Sequence, residues 1–459
     1  MKSYLEFFKE ISDIPRKSGN EEKIAEYLVK FAEDRNLKYY RDELNNVIIY
    51  KDASVGYEDK ESLALQSHTD MICEKLPESS HNFLTDPLEL YVDGDFMKAK
   101  GTSLGADNGV GVSYMLSILD SNEIKAPKLE CIFTVQEETT MAGAEFIDGD
   151  KISSNKVISF DNFSEDEMWI SAAYSKEWIL KIKTQYVEID KEYTTYELTF
   201  NNFKGGHSGF DIGDETRINP IKLGVELLKD LDIYINEVSG GSRVNIIPRD
   251  FKIIFSTQDT LESLTKKVEE LNKSIWVGHI ELKKINFNKK CFSKETTLKI
   301  INFIKEYRNG ALNKDEYGNI VLSSNMGVIN VVDDEILITC SLRTNDLDLG
   351  EELKVEIINS IYKNAIEVKK YEEFIGYFAK EDSELIKKCS RIYREMFNKE
   401  INKIKVQACL ECGAFNDKIP DLEYVSIGAN IYNAHSPDEM FSISSANRMF
   451  NYIVNILKD

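Results

Sequence analysis

Short apolar runs alternate with amphipathic helical patterns towards both ends of the chain. The apolar runs are typical of buried strands and occur at 46–52, 62–68, 131–138, 155–162 and 423–430. Helical patterns occur at 18–37, after 105–109, over 382–398 and from about Ser444. Strands and helices that alternate in this way predict an α/β domain, in which helices flank a mainly parallel central sheet.

The first long helical pattern has a candidate start signal. The segment SGNEEKIAEYLVKFAEDRNL places Ile24, Leu28 and Phe31 on one helical face. Ser18 and Glu21 stand ahead of that face with the spacing of a capping box. We therefore expect these two side chains to cap the helix.

The middle of the chain has a different pattern. The runs WILKIK, TYELTFNNF, FKIIFS and ILITCSLRT alternate polar with apolar residues, and helical segments lie between them. Strands of this kind, with helices between them, are typical of a sheet with one face in water. We expect an inserted α+β domain over 176–378 and an outer domain formed by 1–175 and 379–459.

Composition limits the partners of the protein. The 459 residues are 42% hydrophobic, enough for a sizeable core, and carry a formal net charge of −22. A field of this sign repels nucleic acid and anionic membranes, so we expect neither as a partner. No apolar stretch approaches the roughly 18 residues of a membrane span, and the first residues form an amphipathic pattern without a signal-peptide core.

The cysteines favour a reducing compartment. There are seven, an odd number, and several lie inside apolar runs. Reduced buried thiols of a cytoplasmic protein fit this pattern best. The CLEC segment (409–412) is a CxxC without a second pair, which is weak support for a zinc site.

Polar residues of metal-binding type lie at strand ends or glycine-flanked turns of the outer domain. Histidine and carboxylate ligands in this number suit two zinc-like ions that share a bridging carboxylate. Each residue also has an ordinary interpretation: a hydrogen-bonded histidine after a strand, a solvated turn, or a helix cap. Spacing alone leaves open whether they meet. These residues are His68, Asp70, Asp107, Glu137, Glu138, Asp161 and His435.

Eight motifs occur in order along nearly the whole chain. They are ISDIPRKSGNEE, SHTDMICEK, GTSLGADNGVGV, EETTMAGAE, GGHSG, NIIPR, LECGAF and AHSPDE. With these motifs the chain resembles the M20 family of metallopeptidases, and within it the aminoacyl-histidine dipeptidases (Xaa-His dipeptidases of the carnosine-hydrolysing type).

The resemblance implies a ligand set for two divalent metal ions. His68, Asp107 and Asp161 would hold one ion, and Glu138, Asp107 and His435 would hold the other, with Asp107 bridging. Zn²⁺ is the expected ion, and Mn²⁺ and Co²⁺ accept similar nitrogen and oxygen ligands.

The resemblance also implies two carboxylates that act beside the metal ions. Asp70 would orient the imidazole of His68 and fix its tautomer. Glu137 would be the general base that takes a proton from metal-bound water and delivers it to the leaving amine. On an extended backbone Glu137 and Glu138 would point to opposite sides, which suits residues with separate roles.

Three residues of the inserted domain match lid positions of the family. His207, in FKGGHSGFD, would stabilise the oxyanion, and Asn245 and Arg343 would bind the C-terminal carboxylate of the substrate. A surface salt bridge is the alternative for Arg343, since its motif is short. By the same resemblance, 1–175 and 379–459 form the catalytic domain and 176–378 the lid.

The sequence departs from the family pattern at three positions. Gln136 stands where an acid is frequent, Asn162 where Ser is common, and Gln407 where His is often found. None of these departures removes a ligand. Glu411 and Gly413 match a loop that lines the site, but no role follows for them. His81 and His279 lie outside every motif, and we interpret both as structural or surface residues.

The predicted protein is a cytoplasmic di-zinc exopeptidase that hydrolyses unblocked dipeptides, with Xaa-His as the expected substrate. Metal hydroxide would attack the peptide carbonyl. The alternatives are a broader dipeptidase, a tripeptidase or an N-acyl amino acid hydrolase of the same family, and, more remotely, a non-catalytic peptide- or metal-binding protein. A small peptide is the expected partner, and a homodimer in which His207 acts on the other chain is left open.

Overall fold

The computed structural model describes residues 2–286, 290–316, 318–380 and 382–459. Within them, five of the seven cysteines are buried. No helix in these ranges has the length and apolar character that a membrane crossing requires.

The chain divides into two compact units. The first unit comprises Met1–Ser171, Tyr377–Ile404 and Leu410–Asp459, and the second comprises Ala172–Gly376 and Lys405–Cys409. Each unit has a hydrophobic core of its own.

Helices occur at all four helical patterns of the outer domain, and the structure has others besides. A short 3₁₀ turn covers Gly149–Lys151. The α-helices are α1 (Tyr4–Ser12), α2 (Glu22–Glu33), α3 (Ala106–Asp120), α4 (Ala142–Phe146), α5 (Pro220–Leu228), α6 (Leu261–Ser274), α7 (Lys294–Glu306), α8 (Leu347–Lys363), α9 (Glu384–Phe397), α10 (Cys412–Lys418) and α11 (Ile443–Lys458).

The strands fall into three groups along the chain. The first group is β1 (Lys38–Arg41), β2 (Val47–Lys51), β3 (Leu63–His68), β4 (Leu90–Asp93), β5 (Phe96–Ala99), β6 (Leu129–Thr134), β7 (Lys156–Ser159) and β8 (Glu167–Ala172). The second is β9 (Tyr174–Lys183), β10 (Tyr186–Val187), β11 (Thr194–Asn201), β12 (Gly206–His207), β13 (Ile233–Gly240), β14 (Ile246–Ile247), β15 (Phe251–Thr257), β16 (His279–Lys284), β17 (Cys291–Phe292), β18 (Gly310–Lys314), β19 (Ile320–Val332), β20 (Glu335–Thr344) and β21 (Glu367–Phe374). The third is β22 (Tyr377–Phe378), β23 (Asn402–Val406), β24 (Glu423–Ser426), β25 (Ile431–Tyr432) and β26 (Met440–Ser442).

The central sheet of the first unit has a parallel middle. Its strand order is β1-β2-β6-β3-β7-β24-β8-β22, with β23 paired to β8. Strands β6, β3, β7 and β24 run parallel, whereas β1, β2 and β8 make antiparallel pairs at the flanks. The predicted α/β class with a mainly parallel central sheet is confirmed. The carboxyl ends of the parallel strands therefore meet at one edge, where sites form in sheets of this kind.

Helix α2 buries the predicted face but lacks the predicted cap. Ile24, Leu28 and Phe31 are all buried, as the periodicity requires. Glu21 is the N-cap residue, and no side chain caps the helix. The capping-box prediction is wrong because the hydroxyl of Ser18 donates to Asp70 instead, and the carboxylate of Glu21 accepts from the backbone amide of Gln136.

The second unit is built on an antiparallel sheet. Its order is β16-β11-β15-β13-β19-β20-β9-β21, with β18 paired to β19. Along β9, Trp178, Leu180 and Ile182 are buried while the residues between them are partly exposed. This confirms the predicted α+β character, with one sheet face against the core and the other towards water.

Candidate metal centre and active site

The carboxylate of Asp107 lies between two imidazoles of the first unit. Its Oδ1 is 3.0 Å from Nε2 of His68, and its Oδ2 is 3.0 Å from Nε2 of His435. Each oxygen thus faces a different histidine. A carboxylate with one oxygen on each side is the arrangement that a bridging ligand between two cations requires.

Glu138 completes the cluster. Its Oε2 lies 3.0 Å from Nε2 of His435. One ligand atom each from His68, Asp107 and Glu138 lies within 4.8 Å of the others, which is close enough to hold a metal ion. Asp161 lies near these three residues and interacts with them through its charge, but it is not one of the three whose ligand atoms meet this distance.

The proposed ligands lie at the ends of regular elements or in the loops that follow them. His68 is the last residue of β3, and Asp161 follows the end of β7. Asp107 lies in the first turn of α3 with non-helical φ and ψ, and its peptide bond to Asn108 is cis. His435 has a φ of 64° in the loop between β25 and β26.

The two glutamates lie in a turn, not on extended backbone. Strand β6 ends at Thr134, and Gln136 has a φ of 56°. The carbonyl of Gln136 accepts the amide of Thr140 at 3.1 Å, which closes the turn that carries Glu137 and Glu138. The prediction that an extended strand separates the two side chains is therefore wrong.

Asp70 connects the histidine strand to the glutamate turn. Its carboxylate accepts the amides of Glu137 and Glu138, both at 3.2 Å, and the hydroxyl of Ser18 at 2.7 Å. Its Oδ1 lies 3.5 Å from Nδ1 of His68, and its backbone carbonyl is 3.2 Å from the same nitrogen. These contacts hold Nδ1 on the side away from Asp107, which leaves Nε2 facing the centre of the site.

Burial and neighbouring charges act in opposite directions on the two histidines. Burial disfavours the imidazolium of His435, but hydrogen bonds to Asp107 and Glu138 outweigh it and raise its pKa to about 11. Burial likewise opposes the charged form of His68, whose pKa is nevertheless raised well above its usual value by hydrogen bonds to Asp107 and Asp70. The same pairing lowers the pKa of Asp107 against its own burial.

The pKa values of the carboxyls without a histidine partner are raised, whereas that of Asp107 is lowered. Burial raises the pKa of Glu137, with further contributions from the charges of Asp161, Glu138 and Glu411. Burial and the charge of Asp107 likewise raise the pKa of Asp161. The site therefore gathers more negative charge than its two imidazoles can neutralise.

This excess of charge fits divalent cations. Oε1 of Glu138 is buried without a hydrogen-bond partner, so its lone pairs are available to a cation. Imidazole nitrogen and carboxylate oxygen are ligands that Zn²⁺, Mn²⁺ and Co²⁺ all accept. The donor set thus suits two such ions, and the residues do not distinguish between the metals.

Glu411 is a buried carboxylate to which sequence reasoning assigned no role. It is 2% exposed and accepts hydrogen bonds from Nε2 of Gln66 at 2.6 Å and from Oγ1 of Thr134 at 3.0 Å. Burial raises its pKa to about 7. Because Gln66 and Thr134 lie on β3 and β6, Glu411 ties together the ends of the strands that lead to His68 and Glu137.

The three predicted substrate-contacting residues lie close together in the second unit. Nδ1 of His207 accepts the amides of Gly209 and Phe210 at 3.1 and 3.2 Å. A Cβ atom on Gly209 would lie 2.9 Å from both the His207 ring and Nη1 of Arg343, so this position requires glycine. The carbonyl of Asn245 accepts the amide of Ser208 at 2.9 Å, which places it beside the same loop.

The remaining predictions concern residues outside these clusters. The side chain of Gln407 accepts from the Ser323 hydroxyl and donates to the carbonyl of Ile320. Asn162 is fully buried and donates to the carbonyl of Ser426. Gln407 and Asn162, two of the three departures from the family pattern, thus make hydrogen bonds within the protein. His81 packs its ring against Phe83, in keeping with its predicted structural role.

Comparison with known proteins gives consistent results. A model of peptidase family M20/M25/M40 matches residues 64–459. The cytosol non-specific dipeptidase of Escherichia coli (strain K12) is 30% identical over 476 residues, which cover 99% of this chain and 96% of that protein.

Solved structures agree with the sequence matches. The crystal structure of aminoacylhistidine dipeptidase from Vibrio alginolyticus matches with a TM-score of 0.87 and 29% identity, over 99% of this chain and 96% of that one. A tripeptidase from Staphylococcus aureus subsp. aureus Mu50 shares the fold, with a TM-score of 0.59 and 14% identity over 99% of this chain and 97% of that one.

Proposed function

This chain belongs to peptidase family M20/M25/M40, as its motifs predict, and on that premise we propose that it is a dipeptidase with two divalent metal ions. Peptide hydrolysis follows from the family. Hydrolysis of unblocked dipeptides is supported by the likeness to the Escherichia coli non-specific dipeptidase and to the Vibrio alginolyticus enzyme. The preference for Xaa-His is supported by the likeness to the Vibrio alginolyticus aminoacylhistidine dipeptidase.

The observation that carries the proposal is the position of Asp107. Its two oxygens face His68 and His435, each at 3.0 Å, and Glu138 lies beside His435. We assign His68, Asp107 and Asp161 to one ion and His435, Asp107 and Glu138 to the other. Two divalent cations held there would supply Lewis acidity, lowering the pKa of water and polarising the scissile carbonyl.

Glu137 is the proposed general base. The side chains of Asp70 and Glu138 contact proposed metal ligands. The backbone amide of Glu137 donates to Asp70, which fixes the turn that carries the Glu137 side chain. Burial and adjacent carboxylates raise its pKa, so its carboxylate can accept a proton from water and hold it for the leaving amine.

His207 is the proposed oxyanion donor of the inserted domain, which acts as the lid. Its Nδ1 accepts two backbone amides, so the neutral ring carries its proton on Nε2. That N–H can donate to negative charge on the reacting oxygen. Arg343, with the neighbouring Asn245, would bind the C-terminal carboxylate, which suits the fork geometry of a guanidinium.

A substrate panel tests the proposed specificity. Rates for Xaa-His, Xaa-Leu, a tripeptide and an N-acyl amino acid would be compared on protein reconstituted separately with Zn²⁺, Mn²⁺ and Co²⁺. Fastest turnover of Xaa-His supports the proposal. Preference for another substrate would move the protein to a broader dipeptidase, a tripeptidase or an N-acyl amino acid hydrolase. Tight peptide binding without turnover in any metal would refute enzymatic function.

Two further properties belong to the same proposal. We place the protein in the cytoplasm, in line with its relative, the cytosol dipeptidase. Mixing the inactive His207→Ala and Glu137→Gln variants decides whether His207 acts on its own chain or on that of a homodimer partner. Recovered activity means action on the partner, and no recovery means action within one chain.

A further inference from the structure

Glu439 is a buried carboxylate that binds four successive backbone amides. It is 3% exposed. Its Oε2 accepts the amides of Leu104 and Gly105, both at 2.8 Å, and its Oε1 accepts those of Ala106 and Asp107 at 2.8 and 3.2 Å. Both oxygens of this carboxylate therefore hold the backbone that leads into Asp107.

Arg16 binds the same segment from its carbonyl side. Arg16 is 2% exposed, and its Nη2 donates to the carbonyl of Gly105 at 2.6 Å. Nη1 donates to the carbonyls of Thr69 and Asp70 at 3.1 and 3.3 Å. The Gly105 residue is thus held by a carboxylate at its N–H and by a guanidinium at its carbonyl.

The local backbone leaves little freedom for another arrangement. Gly105 has a φ of 64°, and a Cβ atom there would lie 2.5 Å from Nη2 of Arg16. Arg16 and Glu439 also lie close enough for their opposite charges to interact. Both side chains are buried, and together they hold the amide and the carbonyl of Gly105.

We propose that Glu439 and Arg16 are positioning residues that hold the bridging carboxylate of Asp107 midway between the two histidines. Glu439 follows His435 by four residues, so it ties the His435 segment to the Asp107 segment. Arg16 ties the Asp107 segment to the backbone directly after His68. Together they connect the three segments that carry His68, Asp107 and His435.

The inference rests on the proposed function only for the assignment of metal ligands. Metal binding is measurable without substrate, so the two can fail separately. A wild-type protein that binds two ions but hydrolyses no dipeptide would refute the proposed function and leave this inference standing. A wild-type protein that binds no divalent ion would overturn this inference.

The test compares two buried glutamates of the first unit. The Glu439→Gln substitution keeps the shape of the side chain but replaces one acceptor oxygen by an amide nitrogen that cannot accept from the backbone. Glu130→Gln is the matched control: Glu130 is 1% exposed and accepts the amides of Ser153 and Ser154 at 2.9 and 3.0 Å. Zn²⁺ and Co²⁺ affinities of the metal-free proteins would be measured by competition with a chelator, beside their thermal unfolding.

We expect Glu439→Gln to weaken metal affinity by about 10–100-fold, the usual effect of removing a group that orients metal ligands. Its visible spectrum with Co²⁺ should also change, because the bridging carboxylate is displaced. Glu130→Gln should lower thermal stability while leaving affinity and spectrum as in the wild type. Equal losses of affinity in both variants, or unchanged affinity in Glu439→Gln, would overturn the proposal.

The Arg16→Lys variant is a second test of the same proposal. A single ammonium cannot reach the Gly105 carbonyl and the carbonyls of Thr69 and Asp70 with the same fork. We expect weaker metal binding, and a combined loss in the double variant that is smaller than the product of the single losses, because both residues hold one segment. If Glu439→Gln does not fold, Arg16→Lys decides: wild-type affinity in this variant contradicts the inference.

Discussion

The carboxylate of Asp70 accepts a hydrogen bond from the backbone amide of Glu138 at 3.2 Å. Asp70 therefore does more than orient the imidazole that precedes it in sequence. Since it also accepts the amide of Glu137, it fixes the turn that carries both the proposed base and a proposed ligand. The two halves of the site, strand β3 and the turn after β6, are coupled through one side chain.

Replacement of Asp70 by Asn should therefore affect both metal binding and turnover. The amide nitrogen of Asn cannot accept from a backbone N–H, so one of the two amides loses its partner. We expect metal affinity to fall by about 10–100-fold and kcat to stay reduced even when metal is saturating. Chelator competition and steady-state assays would measure the two effects. Full recovery of kcat at saturating metal would show that Asp70 acts on the imidazole alone.

Glu137→Gln should separate catalysis from metal binding. The substitution keeps size and backbone contacts but removes the group that accepts a proton. We expect bound metal to match the wild type and kcat for a dipeptide to fall by about 10²–10⁴-fold. Elemental analysis and a turnover assay on one preparation would test this. Retained metal with largely retained activity would contradict the assignment, and Glu145→Gln, an exposed residue on α4, is the control.

The positions of two proposed ligands at strand ends were predictable from the apolar pattern, whereas the ligand set itself was implied by the family resemblance. His68 ends β3 and Asp161 follows β7, and both strands are apolar runs in the sequence. Parallel strands then bring these ends to one edge without further information. Residues from separate parts of the chain therefore lie at the same edge of the sheet.

The supporting contacts were not predictable in the same way. Ser18 and Glu21 have capping-box spacing, yet they bind Asp70 and the Gln136 amide across the site. The choice between a local and a distant partner depends on tertiary packing, which spacing does not encode. The glutamate turn was missed for a related reason: its left-handed residue is Gln136, and no glycine marks the position.

Metal uptake by the metal-free protein should release protons. The pKa of His435 is raised to about 11 and that of His68 is also raised, so both rings are protonated at neutral pH. Metal ligation needs neutral imidazole, so each ring must lose its proton. The apparent metal affinity should therefore fall as the pH falls.

Calorimetric titration in buffers of different ionisation enthalpy would count the released protons. We expect His435→Asn to release fewer than the wild type, and His279→Asn, on the exposed end of β16, to behave as the wild type. The stability of the metal-free protein has the opposite pH dependence to its metal affinity. Because the folded pKa of His435 lies above its unfolded value of about 6.5, its ion pairs stabilise the metal-free protein below that pH, and this contribution is lost as the pH rises through about 11. A metal affinity independent of pH would contradict both raised pKa values.

His207→Ala should lower turnover without changing bound metal. Its Nδ1 accepts the amides of Gly209 and Phe210, so the ring presents Nε2–H as a donor. Loss of one oxyanion donor costs about 10²–10³-fold in kcat, whereas KM should change little, because the contact forms mainly in the transition state. His207→Gln, whose side-chain amide retains a donor, should recover part of the rate. A normal kcat in His207→Ala would refute the oxyanion role, and loss of metal in that variant would place His207 among the ligands instead.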